Sequence, residues 1–440
     1  MPRNLRKIDL LAITLIVGAF VLLAELKSHR PKRWYWLQTD MSDHLGAEYN
    51  NIAKSIAGGI GYSNPFPKPT GPTAWMPPVL PWTLAAVHWA FPGTDSPRHF
   101  MLSLSAIAVW FTGLIVIDQA TVMRLRSFGY AMFSIGVAGN FHELFQKTHD
   151  PGLLLILVGI IYVGARTVGE TTPPLRIILW GFFGGFCALC SPILGATWAA
   201  ICLYRLWPIG KAAANPILDA VAHPIRFHNA RLRRLLISAF VSMIVITPWT
   251  IRNRVVLKAW IPIKSNGMYE LWQSQSVDAD GVLDLTSFTD HPWNETSSQL
   301  PAIQETGEIA FISEKGEQAI DAICREPFSY AKRVANRFVA ATLWYVPFSN
   351  YHRQRCFGVP FTMKRLIHPL PLISLVLVLV FGIRNADPSD LKLVSLICVA
   401  YLTPYLLITF YERYAIPILG MQMLIVLYGV ASSTSRLSRP

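Results

Sequence analysis

What this sequence lacks narrows its class before any motif is read. Charged side chains are scarce, at 15% of 440 residues, where soluble domains run near a quarter. Cysteine is scarce too: the six are too few and too scattered for a disulfide framework. Cys187, Cys190, Cys202 and Cys398 lie in apolar segments, where a buried thiol is the default. Cys324 and Cys356 fall in polar sequence and would pair only in an oxidising compartment. There is no zinc-finger spacing, no aromatic-basic stacking motif and no Gly-rich phosphate loop. The net charge of +13 therefore does not point to nucleic acid. No internal repeat and no low-complexity tract occurs.

What is abundant is apolar sequence, 52% of the chain, gathered in runs at 10–24, 153–164, 235–248, 370–383, 393–410 and 416–431. Runs near 20 residues match a hydrocarbon slab of about 30 Å at about 1.5 Å per residue, and shorter ones need apolar flanks. The expected fold is an all-α integral membrane protein of about ten transmembrane helices. They are placed near 9–25, 99–119, 128–141, 152–168, 175–190, 192–207, 235–250, 366–383, 391–410 and 414–431. The first run follows Arg3, Arg6 and Lys7 as a secretory signal does. Lys27-Ser28-His29-Arg30 stands where a small-residue cleavage site would be, so a retained helix is expected.

Basic residues cluster at 124–126, 166–176, 205–234, 384–392 and 436–439. The positive-inside rule assigns these to the cytoplasm of an inner membrane, with both termini inside. Lys27, Arg30, Lys32 and Arg33 oppose that assignment for the first helix alone. Three segments are then external: 26–98, 141–151 and the long loop 247–366. The chain divides into an N-terminal membrane region, 1–246, the external loop region, and a C-terminal membrane region, 367–440. Interfacial helices are expected at 79–91, with Trp82, His88 and Trp89 at helical spacing, and at 330–344. Asp118, late in an apolar helix, is expected to be solvated at the cytoplasmic end.

The unusual polar and Pro-rich sequence is confined to the external segments. Carboxylates there are Asp43, Glu48 and Asp150; cations are Arg252, Arg254, Lys264 and Arg413. Ionisable groups at the ends of apolar helices are costly to desolvate and mark partners or function. Taken singly, each also reads as a head-group anchor. Together they fit sugar transfer from a lipid phosphate. That chemistry needs a carboxylate to take the proton of the attacking hydroxyl, and cations or a metal to stabilise phosphate charge. Arginine suits phosphate because its planar fork engages two oxygens. Tyr49, Tyr62, Trp75, Trp249 and Tyr414 are candidates to line the substrate, with His142, Glu143 and His149 beside them. The His142–His149 spacing fits no established metal motif, so no cofactor is assigned and a divalent metal is an open option. Glu412-Arg413 reads equally as a local ion pair at a helix end or as part of a phosphate site.

Several pieces, in order, resemble the GT-C membrane glycosyltransferases, in the bacterial branch related to protein O-mannosyltransferases and aminoarabinose transferases. They are Glu48-Tyr49, Gly59-Ile60-Gly61-Tyr62-Ser63, Pro72-Thr73-Ala74 and Pro248-Trp249-Thr250-Ile251-Arg252-Asn253. Lys264-Ser265-Asn266, Glu270-Leu271-Trp272, Gly307-Glu308 and Arg413-Tyr414-Ala415-Ile416-Pro417 follow. The resemblance implies a polyprenyl-phosphate-linked sugar donor, a glycan, lipid or protein acceptor, an active site in the first external loop, and inversion at the anomeric carbon. It also implies a catalytic acid four residues before the loop tyrosine, where this chain has Leu45. Asp43 and Glu48 are the two carboxylates left for that role, Asp43 being preferred because Glu48 also serves as a helix-start charge. Asp150, directly before Pro151, matches a second-loop acid. The alternatives are an enzyme of the O-antigen polymerase or ligase type, and a lipid or sugar transporter, for which mid-membrane charges and repeated halves would be expected.

Overall fold

The computed structural model describes residues 4–29, 46–93, 95–145, 149–169, 171–206, 230–284, 287, 289–348, 359–382 and 388–437. Among them the protein is all-helical, and extended pairing is limited to two isolated bridges, Ser63 with Pro72 and Val282 with Phe410.

Six helices are long and apolar enough to cross a bilayer: Lys7–Leu26, Ser96–Val122, Ala230–Leu257, Thr362–Phe381, Pro388–Leu407 and Glu412–Ser433. They make this a multi-pass membrane protein. The sequence led to an expectation of about ten. The difference lies in helices such as Pro151–Ala165, Pro174–Cys190 and Pro192–Leu206, which are apolar but short. Each starts at a proline, which is favoured in the first turn and blocks extension backwards. The 15 residues of Pro151–Ala165 reach only about 22 Å. Several long helices present apolar side chains outward, among them Leu11, Leu15, Phe240, Ile244, Leu379 and Val380. In water such a surface would be unfavourable, whereas acyl chains match it.

Small residues let the helices approach. In the Pro174–Cys190 helix, a Cβ on Gly181 would meet the Ser238 carbonyl at 2.6 Å, and one on Gly185 would meet Val245 Cβ at 2.6 Å. This four-residue glycine spacing is the small-residue seam of packed membrane helices.

Polar pairs sort the helix ends into two groups. At one end, the Asn4 backbone N–H donates to Asp118 at 2.9 Å, and Asp9 accepts from Arg126 and, at 2.5 Å, from Tyr130. Asp118 is thus buried, at 7% exposure, and hydrogen-bonded rather than solvated. Arg166 pairs with Asp390 at 3.0 Å, and Arg234 donates to the Thr172 carbonyl at 3.0 Å. These contacts tie together the segments that carry the basic runs. At the other end, Arg98 holds Glu25 at 2.8 Å, and the candidate site lies beyond it.

That second end carries its own core, separate from the one between the membrane helices. Helix Ala47–Ala57 packs on Val79–Ala90, and Glu308–Arg325 packs on Gly267–Ser276 and Gln299–Thr306; side chains of both groups join one cluster. Between them lie Ile52, Ile56, Phe66, Trp75, Tyr269, Trp272, Leu300 and Phe311. Glu308–Arg325 is amphipathic: Phe311, Ile312, Lys315 and Ala319 face inward at helical spacing. Helices form where they are expected at 79–91 and 330–344: Val79–Ala90, with Trp82 and Trp89 exposed, and Pro327–Thr342. Cys324 is an exposed free thiol; Cys356 lies outside the described residues.

Candidate functional site

The scaffold of the site is a hydrogen-bond hub on Glu308. Its carboxylate accepts from the Thr73 hydroxyl, from the Ala74 N–H at 2.9 Å and from the Ser265 hydroxyl at 2.8 Å. Burial raises the Glu308 pKa, and those donors oppose the rise. Three sequence pieces noted separately, around Thr73, Ser265 and Glu308, are therefore one junction. Arg252 completes it. Its guanidinium donates to the carbonyls of Thr73 and Tyr62, at 2.6 and 2.8 Å, and lies 5.0 Å from the Trp249 ring centroid. Tyr62 donates to the Met76 carbonyl at 2.7 Å, and Trp249 to the Ile263 carbonyl at 2.7 Å. Trp75 is fully buried against Phe66 and Tyr269. Arg252, Tyr62, Trp249 and Trp75 thus build the junction. Arg254 lies apart from it, donating to the Lys258 carbonyl beside Trp260.

On this scaffold, carboxylates from three distant segments come together. Glu48 sits in the first turn of Ala47–Ala57 and is 6% exposed. Burial pushes its pKa up to about 7; Arg413 opposes the rise, while Glu270 and Asp150 add to it. Asp150, which directly precedes the Pro151–Ala165 helix, accepts from the Tyr49 hydroxyl at 3.1 Å. Glu270 accepts from Lys264 and from Asn266, both at 3.0 Å. His291 places Nε2 4.0 Å from Glu48 Oε1. Asp43 lies outside the described residues.

Arg413 is the cation of this cluster. Its guanidinium lies 5.1 Å from the Tyr411 ring centroid and 5.7 Å from that of Tyr414, which stacks on Tyr405 at 4.1 Å. Asp150 and Tyr49 are within its electrostatic reach. It forms no hydrogen bond or ion pair with the described residues, and its Nε is buried. The adjacent Glu412 does not pair with it. Glu412 instead accepts from Lys364 at 2.9 Å, from Tyr345, and from the Phe348 N–H at 3.1 Å. Of the two readings open for Glu412-Arg413, the local ion pair is therefore not formed.

Glu143 and His149 pair at 3.2 Å, both buried. Glu143 lies within electrostatic reach of Tyr411, as do Arg413, Asp150 and Glu48. The segment that carries Glu143 and His149 thus borders the cluster, with His142 in the short helix Phe141–Phe145. Among the described residues, no group of three or more His, Cys, Asp or Glu side chains gathers as metal ligands.

Sequence reasoning gave no role to Glu270, His291, Tyr405 or Tyr411. Glu270 sits inside a quoted motif, so its neighbours were a signal for it. His291 is a solitary histidine in a polar loop, and nothing around it distinguishes it. No protein-family model, curated protein or solved structure matches this chain.

Proposed function

We propose that this protein is a membrane glycosyltransferase that moves a sugar from a polyprenyl-phosphate donor to a lipid, polysaccharide or protein hydroxyl. The observation that carries the proposal is Arg413. A guanidinium without hydrogen-bonded partners among the described residues is held between tyrosines, within electrostatic reach of Glu48 and Asp150. A half-buried cation in that state is matched to an anion with several oxygens, as a phosphate is. The order of the GT-C-like motifs supports the donor class.

In this reading Glu48 is the general base. The acceptor oxygen bonds to the anomeric carbon as the bond from that carbon to the phosphate oxygen breaks. The hydroxyl proton passes to Glu48, and the phosphate keeps the electron pair and faces Arg413. Attack opposite the leaving phosphate inverts the anomeric centre. A proton affinity near neutrality suits a base that must be ionised before the reaction and hold a proton after it. Asp150 is fixed by Tyr49, and Lys264 balances Glu270, so the cluster keeps its charges in place for the transition state.

The topology that goes with this function has ten crossings, with the short apolar helices and Arg126–Gly139 among them. Both termini lie in the cytoplasm, and the cluster lies at the outer face of the cytoplasmic membrane. The concentration of basic loops at the opposite end of the helices supports it.

The test is complementation in the source cell. Deletion removes a glycan modification of the envelope; the wild-type gene restores it, and Glu48→Gln does not. Full restoration by Glu48→Gln, Asp150→Asn and Asp43→Asn alike contradicts the proposal.

A further inference from the structure

We propose that the cleft between helices Ser96–Val122, Pro151–Ala165 and Pro174–Cys190 binds one anionic phospholipid of the surrounding bilayer, an acyl chain lying in the cleft and the phosphate meeting Arg176. The site stands apart from the Glu48–Arg413 cluster and needs no sugar transfer. Helix Pro151–Ala165 links the two places: Asp150 precedes its first residue, and Gly164 stands in its last turn, about 21 Å away along the axis.

The cleft has a volume of about 370 Å³, within the range of small-molecule sites. Phe111, Ile160, Val163, Leu179, Trp180 and Phe183 line it. Leu179 and Ile160 remain exposed on its rim, so it opens sideways, where acyl chains lie. Its floor is built by the protein alone. Trp180 donates its indole N–H to Cys202 Sγ at 3.0 Å and packs on Trp198 with ring centroids 6.1 Å apart. A Cβ on Gly164 would meet Trp180 Cζ3 at 2.5 Å. The absence of a side chain there is what lets the ring keep its place between the two helices.

Charge gives the cleft its occupant. Arg176, in the first turn of Pro174–Cys190, lines its basic end. The side chain is exposed, and its guanidinium forms no hydrogen bond or ion pair with the described residues. Three more arginines hold the adjoining turn. Arg166 pairs with Asp390 at 3.0 Å, whereas Arg205 and Arg234 donate to the carbonyls of Val168 and Thr172 at 3.2 and 3.0 Å. Carbonyls anchor those two groups without cancelling their charge, and no carboxylate among the described residues pairs with either. An apolar cleft on a lipid-facing surface that ends in excess positive charge matches a lipid with an anionic head group. A zwitterionic lipid would bring its own cation to the same place.

The experiment uses the purified full-length protein in phosphatidylcholine nanodiscs. Two probes are compared at the same low mole fraction, phosphatidylglycerol and phosphatidylcholine, each with a photoactivatable diazirine on one acyl chain. Crosslinked peptides are then mapped by mass spectrometry. The phosphatidylglycerol probe is expected to label 160–168 and 174–183 at least about fivefold more than the phosphatidylcholine probe, the share one arginine supplies at a membrane surface. Arg176→Gln is expected to bring that labelling down to the phosphatidylcholine level while labelling of other helices stays the same. Arg176→Lys keeps the charge and most of the yield. Arg176 is exposed and bonds to nothing described, so both variants are expected to fold as the wild type does. Equal labelling by the two probes, or an unchanged phosphatidylglycerol yield in Arg176→Gln, overturns the proposal, since the cleft then takes lipid without regard to head group. No labelling of either segment while other helices are labelled overturns it too, and leaves the cleft to another occupant.

Discussion

Tyr49 donates its hydroxyl hydrogen to Asp150 at 3.1 Å, joining residues that stand 101 positions apart. The bond fixes the first polar segment against the start of the Pro151–Ala165 helix and presents both to Arg413. Hydrogen bonds to charged groups contribute about 1.5–3 kcal/mol. Tyr49→Phe is expected to lower stability by that order and to slow sugar transfer, with the fold retained. Thermal unfolding in detergent, read alongside transfer rate, checks it.

Arg252 and Arg254 separate scaffold from surface. Arg252→Ala leaves the Thr73 carbonyl without its donor, takes one of two donors from the Tyr62 carbonyl and removes a cation that acts on Glu308. Each unsatisfied buried group costs about 1–3 kcal/mol, so the variant is expected to unfold at distinctly lower temperature. Arg254→Ala removes a bond to the Lys258 carbonyl in exposed surroundings and is expected to change stability by no more than about 0.5 kcal/mol. Melting curves of the two purified variants decide it. Equal stability would contradict the role given to Arg252.

Glu48 gives opposite pH dependences for stability and rate. Its pKa in the folded protein is about 7 against an ordinary 4.5, chiefly through burial. The neutral form is the one the fold accommodates. Its contribution is complete below the ordinary value and is lost as pH rises through about 7. Glu48→Gln stays neutral throughout, so it is expected to match wild type near pH 5 and to exceed it in melting temperature near pH 8. Transfer requires the ionised form, so the wild-type rate is expected to rise as pH passes about 7. A Glu48→Gln protein that is inactive yet more stable at alkaline pH is a catalytic loss, not a folding defect.

Lys364 and Glu412 form a buried ion pair at 2.9 Å, with Tyr345 also donating to Glu412. Removing one partner of such a pair costs about 3–5 kcal/mol because the other charge is stranded. Lys364→Met is expected to destabilise strongly, and Lys364→Met combined with Glu412→Gln to recover much of the loss. A double-mutant cycle in unfolding temperature measures it.

The membrane class was legible because it rests on composition: long apolar runs with few charges have no soluble solution that leaves so many apolar side chains outward. The helix at Val79–Ala90 was legible from the spacing of Trp82, His88 and Trp89. The number of crossings was less so: the helices at Pro151–Ala165, Pro174–Cys190 and Pro192–Leu206 lie close to their expected bounds, but hydropathy does not register whether helices so short span a bilayer. Within the site, residue type announced Glu48, Asp150 and Arg413 as chemically unusual. It did not distinguish Arg413 from Arg252, since that difference depends on whether carbonyls of Tyr62 and Thr73 reach the guanidinium. His291 was illegible for the same reason: the fold, not its neighbours in sequence, brings it near Glu48.

The most direct measurement is release of free polyprenyl phosphate by the purified protein in nanodiscs, supplied with a panel of synthetic short-chain polyprenyl-phosphate sugars and an acceptor lipid extract. Wild type is expected to release the phosphate from at least one donor. Arg413→Gln, which removes the charge facing the leaving phosphate, is expected to slow that release by about 100-fold or more. Release at the wild-type rate by Arg413→Gln, or none from any donor by the wild type, would contradict the account.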